Sequence, residues 1–210
     1  MAALLGAADP GTAGSATVHD DADRTTHRIL DAAVLEAAHV GLNRITVEDV
    51  VRRAGVSRMT AYRRYPRRDD LVAAVVLRET RRFLDAVSAG IAAVDDPQDG
   101  VVEAFIAAVR FSRGHPMLRR AAVTDSVLPV GDSARLLAMG ADFIAARLSG
   151  SGGDTQNPAA QRIRWTADVF ARLFLTFITC PPVDPDLDDD IALRRFAHEI
   201  LIPMATSATR

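Results

Sequence analysis

The sequence predicts an all-α chain, on three observations. Apolar residues recur at helical spacing from Arg24 onward, no segment shows the strict alternation and tight turns of strands, and two short helical patterns flank Gly55 in the manner of a helix-turn-helix. With 210 residues, 49% of them hydrophobic and 25% charged, the chain has material for a sizeable core. About nine helices are expected. A three-helix helix-turn-helix unit over residues 24–70 is followed by a helical body over 71–210, and an acidic arm over 1–23, with little to bury, is expected to be disordered.

The first helix is expected from Arg24 to Val40, with Ile29, Ala33, Ala37 and Val40 on one stripe and Gly41 ending it. Thr46 is placed to cap the next helix and Asp49 stands at the reciprocal capping-box position. Val47, Val50, Val51 and Ala54 then form a buried stripe. Gly55 supplies the left-handed residue of the turn, and Ser57 caps the second helix. That helix offers Arg58, Met59, Thr60, Tyr62, Arg63 and Arg64, with only Ala61 and Tyr65 spaced to pack inward, so it is poor core material and suited to a groove. After Pro66, a long helix runs to about Val94, its first turn carrying Asp69 and Asp70 as the helix dipole favours. The segment Asp95–Gly100 is a break. Helices are expected over about 100–113, 117–123, 129–148, 158–179 and 188–206, the fourth of these the most apolar stretch of the chain.

Charge is uneven. Residues 24–82 hold 13 Arg against 7 acids, whereas residues 1–23 hold 4 Asp and no cation, and residues 83–210 hold 12 Arg and 16 acids. A basic segment on an acidic body is the footprint of a module that touches polyanions, although a solvated face reads the same on charge alone. The single Cys180 permits no intramolecular disulfide, fits a reduced cytoplasm, and ends an apolar run as a structural residue would. No stretch reaches a membrane span and the N-terminus lacks a signal-peptide charge pattern. No metal site or cofactor loop is expected: the five His are scattered, and Asp184-x-Asp186-x-Asp188 lacks the Gly and Glu of a calcium loop.

Residues 25–71 resemble the N-terminal domain of the TetR family of bacterial transcriptional regulators. The resemblance rests on Arg28–Ala33, Gly41, Thr46–Val50, Ala54–Ser57, Thr60-x-Tyr62-x-x-Tyr65 and Arg68–Leu71, and more weakly on Arg194-Arg195-Phe196-Ala197-x-x-Ile200-Leu201-x-Pro203 near the end. Met59 stands where the family often has Gly, Tyr65 where it often has Phe, and Arg68 where it often has Lys. The resemblance implies a homodimer, residues 71–210 as an effector-binding and dimerisation domain, and repression relieved by a small molecule.

It also implies that Arg58, Met59, Thr60 and Arg63 face base edges, Arg suiting guanine and Thr using its hydroxyl or methyl. Thr46, Tyr62 and Arg68 are implied to hold phosphates, with Arg44 and Arg64 as further backbone contacts. For Tyr62 the other reading is a packing aromatic, and for Arg44 a solvated charge. The expected partner is double-stranded DNA, read as a palindrome by two recognition helices one helical turn apart or a multiple of it. Phe105, Val109, Phe143, Phe170 and Phe174 are candidates to line a pocket for an apolar effector, ordinary core being the competing reading for each. The dimer seam is expected on the last two long helices. Two other classes stand beside the ligand-responsive repressor. One is an effector-independent DNA-binding regulator, against which the large body argues. The other is an all-α enzyme, for which no nucleophile, base or metal set is visible.

Overall fold

The computed structural model describes residues 11–123, 130–149, 158–179, 187 and 189–209, and these are helical apart from short connections. Helices α1 (Gly11–Val40), α2 (Val47–Ala54) and α3 (Arg58–Arg64) form the first unit, with a single 3₁₀ turn over Leu42–Arg44 between α1 and α2. Helices α4 (Arg68–Ala92), α5 (Pro97–Gly114), α6 (Pro116–Val123), α7 (Val130–Leu148) and α8 (Pro158–Thr179) follow. The chain ends in α9 (Asp190–Phe196), a π turn over Ala197–Leu201 and α10 (Ile202–Thr209), which run on without a break.

The expected arm does not separate from the first helix at Arg24, because α1 is continuous from Gly11. Ala, Thr and Asp dominate that stretch and no Pro interrupts it, so a helix nucleated over the apolar stripe can propagate backward. Residues 1–10 of the arm lie outside the described residues, as do Cys180, Asp184, Asp186 and Asp188. The fifth helix likewise starts earlier than its apolar pattern, at Pro97. Asp96 caps it, its carboxylate accepting from the N–H groups of Gln98 and Asp99 at 2.7 and 3.2 Å, and a Pro at the first helical position gives up a hydrogen bond that no helix start makes. In the π turn, Ile202 N–H reaches back to Ala197 O. Pro203 follows it and has no N–H to continue the regular ladder.

Two cores result. The first packs Ile29, Ala33 and Ala37 of α1 with Ile45, the α2 stripe and Ala61 of α3, and it is closed by Leu71 and Val75 of α4 and Met117 of α6. The second packs Val102, Phe105, Ile106 and Val109 of α5 with Phe170 of α8 and Leu193, Ala197 and Leu201 of the last helices. The α4 helix is common to both ends: its start seals the first core and its later turns lie along α5. At that crossing the backbones come close, since a Cβ on Gly90 would stand 3.0 Å from Glu103 O and 3.2 Å from Ala107 Cβ.

Between the cores lies a buried ionic cluster. Glu79 of α4 accepts from His115 Nε2 at 3.0 Å, from Arg78 Nε at 2.7 Å and from Arg82 Nη1 at 3.1 Å. Arg78 also donates to Asp31 of α1 at 2.8 Å, so the cluster ties α1, α4 and the α5–α6 corner together. Burial alone would raise the Glu79 carboxyl, but the His115 hydrogen bond and the two guanidinium groups outweigh it and hold it below the ordinary glutamate range.

Candidate nucleic-acid interface

The turn between α2 and α3 is built by local chemistry that the sequence displays. Thr46 Oγ1 accepts from Asp49 N–H at 3.1 Å and donates to the Asp49 carboxylate at 2.6 Å, a variant of the box in which the acid answers the hydroxyl rather than the backbone. Gly55 sits at φ 63° and ψ 35°, its N–H on Val51 O at 3.0 Å, a left-handed cap that a side chain would strain. Ser57 Oγ accepts from Thr60 N–H at 3.1 Å and opens α3. Arg28 of α1 braces the same corner from behind, donating to Ala54 O at 2.8 Å and Gly55 O at 3.2 Å. Arg53 of α2 reaches the buried Glu36 of α1 at 2.7 Å. Both braces join residues far apart in sequence, so only their charges are visible in the chain.

With Ala61 buried and Tyr65 packed against the first core, the rest of α3 turns outward. Arg58, Met59, Tyr62 and Arg63 are exposed, Met59 to 80%, and Thr60 is half-buried with its hydroxyl 2.8 Å from that of Ser57. Of the residues expected at phosphates, Thr46 is exposed at the start of α2 and Arg44 is exposed on the 3₁₀ turn. Arg64 is directed to Thr26 of α1. Arg68 is half-buried: its Nε and Nη2 donate to Ile45 O and Leu42 O, each at 3.0 Å, and its Nη1 meets Asp69 at 3.2 Å. Two of its three nitrogens therefore hold the α1–α2 connection, a use its sequence position does not reveal. The Tyr62 hydroxyl donates to Glu48 of α2, which raises the phenol and lowers the carboxyl. Glu48 had no place among the expected site residues, and no sequence signal pairs it with Tyr62.

Behind this unit, a cavity of about 650 Å³ runs through the body. Its wall is apolar along most of its length, from Leu84, Val87 and Ile91 of α4 through Val101 and Ala104 of α5 to Phe143 and Ile144 of α7. One end reaches Ala37, Gly41 and Leu42 in the first unit, where Glu79 and Arg120 also line it. Phe143, Phe170 and Phe174 border the cavity, but Phe105 and Val109 do not. These two face the opposite side of α5, where Phe105 is fully buried with ring centroids 5.8 Å from Phe174, 5.2 Å from Phe177 and 5.6 Å from Phe196. The apolar character of α8 is similarly divided. Phe170, Phe174 and Phe177 pack inward, while Trp165 and Val169 are exposed to 64% and 46%. On the last helices Ile191 and Ile200 are exposed to 77% and 46%.

A capped helix-turn-helix, presented on a helical body with its second helix cationic and outward, defines a DNA-binding transcriptional regulator. Residues 29–75 match the family model described as bacterial regulatory proteins, tetR family. The HTH-type transcriptional regulator Rv1255c of Mycobacterium tuberculosis strain H37Rv is 28% identical over 188 residues, covering 87% of this chain and 88% of its own. The regulator Mb2274c of Mycobacterium bovis is 28% identical over 192 residues, covering 87% and 95%. Among solved structures, the TetR family repressor AlkX from Dietzia sp. superposes with a TM-score of 0.61 at 21% identity, covering 88% of this chain and 97% of its own. The fatty acid degradation regulator FadR from Bacillus halodurans superposes with a TM-score of 0.57 at 15% identity, covering 85% and 94%. Over residues 29–75 the chain is thus similar to the tetR family of bacterial regulators, and the solved neighbours share its fold. No helix among the described residues is long and apolar enough to cross a membrane.

Proposed function

We propose that this regulator is a cytoplasmic, homodimeric repressor that binds a palindromic operator and releases it when a largely apolar small molecule enters the body. The cavity carries this reading: about 650 Å³, mostly apolar, and reaching Gly41 and Leu42 directly behind the helix-turn-helix. Concave apolar sites of this size are where small ligands bind, and a constitutive DNA binder has no use for one. Residues 24–70 act as the DNA-binding domain and residues 71–210 as the effector-binding and dimerisation domain. Arg58, Met59, Thr60 and Arg63 read base edges, and Arg44, Thr46, Tyr62, Arg64 and Arg68 hold the backbone, with Arg68 Nη1 as the atom nearest to free. Two fold neighbours named for n-alkane and fatty acid degradation are in keeping with an apolar effector. The exposed Trp165 and Val169 of α8, with Ile191 and Ile200, favour a dimer seam along these helices, because such side chains seldom face water together.

Selection of binding sites from random duplexes should return an inverted repeat with half-sites one helical turn apart or a multiple. A monomeric mass in sedimentation, or a selected site without two-fold symmetry, would remove the dimer. Thermal shifts against a panel of alkanes, fatty acids and polar metabolites test the effector: the apolar members should raise the melting temperature and displace operator DNA.

A further inference from the structure

We propose that Glu48 is a brake on duplex binding, competing with the DNA backbone for the single hydroxyl proton of Tyr62 and setting a negative charge on the phosphate face. The inference rests on the reading of α2 and α3 as that face. The phenol hydroxyl carries one proton, and in the free protein Glu48 holds it. A phosphate oxygen only accepts, so Tyr62 can donate to the backbone only by leaving Glu48. Both residues are exposed.

The neighbouring acid, Asp49, is in a different position. Its carboxylate takes a hydrogen bond from Thr46 at 2.6 Å and a guanidinium from Arg52 at 2.5 Å, so its charge is balanced within α2. Glu48 is bonded to a neutral phenol. The charged groups acting on it are Arg58 from α3, which attracts, and Asp49, which repels. An approaching phosphate therefore meets an anion that is only partly compensated. The resulting penalty is the same for every base sequence, so Glu48 weakens binding to random DNA as much as to an operator. Base contacts from Arg58 and Arg63 still set the ratio of operator to random binding, and the brake shortens residence on both.

The test uses the full chain and a labelled duplex of mixed sequence, titrated at several salt concentrations. Glu48→Gln and Glu48→Ala should each bind more tightly, by about fivefold for each face in contact, as expected for one unit charge near 4 Å in water. The dependence of log K on log salt should steepen by about one per face. Tyr62→Phe should weaken the Glu48→Ala protein more than it weakens the wild type, because the hydroxyl is then free to serve the backbone. Unchanged or weaker binding by both Glu48 variants overturns the brake. Tighter binding with an identical Tyr62→Phe effect in both backgrounds overturns the proton competition. Wild-type protein that ignores the duplex in dilute salt overturns the DNA-face reading itself, and this inference with it.

Discussion

Arg63 and Arg68 carry the same charge close together in sequence, yet the fold gives them different work. Arg63 stands exposed on the outer side of α3, whereas Arg68 spends two nitrogens on Ile45 O and Leu42 O. A side chain that is free in the unbound protein can be committed to one base pair. Replacing Arg63 with Ala should therefore cost about 1–3 kcal/mol on the operator and little on random DNA, measured as the ratio of the two binding constants. An equal loss on both would place Arg63 on the backbone instead. Replacing Arg68 with Ala removes two bonds that anchor the α1–α2 connection, so part of its effect belongs to folding and not to DNA. The same distinction marks how far single residues were legible. Caps and the Gly55 turn join neighbours in sequence, and the chain displays them. The partners of Arg68, Glu36 and Tyr62 lie across the fold, so only their residue types are visible there.

At the scale of the element, α4 decides the architecture. Helical periodicity located it to within a few residues, but periodicity says nothing about how closely another helix approaches. Gly90 allows α5 to cross with Glu103 O 3.0 Å from where a Cβ would be. Ala is the better helix former by about 1 kcal/mol, so an isolated α4 would gain from Gly90→Ala. In the folded protein the added methyl must push a backbone carbonyl, and overpacking of this kind costs about 1–3 kcal/mol. The net expectation is a lower melting temperature for Gly90→Ala, and a rise would show that α4 and α5 slide apart readily. The Glu79 cluster belongs to the same helix. Removing one partner of a buried ion pair costs about 3–5 kcal/mol, so Glu79→Gln should lower the melting temperature by roughly 6–20 °C. Because the Glu79 carboxyl is held below its ordinary range in the folded state, its contribution is complete above the unfolded pKa and fades as pH falls through the folded value. Acid titration of stability should accordingly narrow the gap between wild type and Glu79→Gln, and a gap that widens in acid would contradict the assignment. This cluster was illegible as a sequence signal, since His115 is one of five scattered His and nothing in the chain pairs it with Glu79, 36 residues away.

On the scale of the whole molecule, the two cores are joined by few elements, and the cavity lies where those elements meet. Its wall includes Glu79 from the ionic cluster, Leu42 from the connection that Arg68 holds, and Phe111, whose ring stacks on His115 at 5.3 Å. A ligand that fills the cavity would therefore touch residues bonded into the contacts between α1, α4 and the α5–α6 corner. By linkage, any molecule that weakens operator binding must itself bind less well when the operator is present, by the same factor. Ala104 of α5 gives a way to test this without touching the DNA face. It lines the cavity between Val101 and Ala108, and a Phe there would occupy apolar volume that is otherwise left to the effector. Ala104→Phe should fold, bind operator with wild-type affinity, and lose the ligand response. For the wild type, an apolar effector at a hundredfold its Kd should add about 2.7 kcal/mol, or roughly 5–10 °C in melting temperature, and the variant should add almost none. If Ala104→Phe keeps the full shift while operator release is also unchanged, the effector binds elsewhere and the cavity does not regulate. If the shift vanishes and the operator can no longer be released, the cavity is where binding is converted into release.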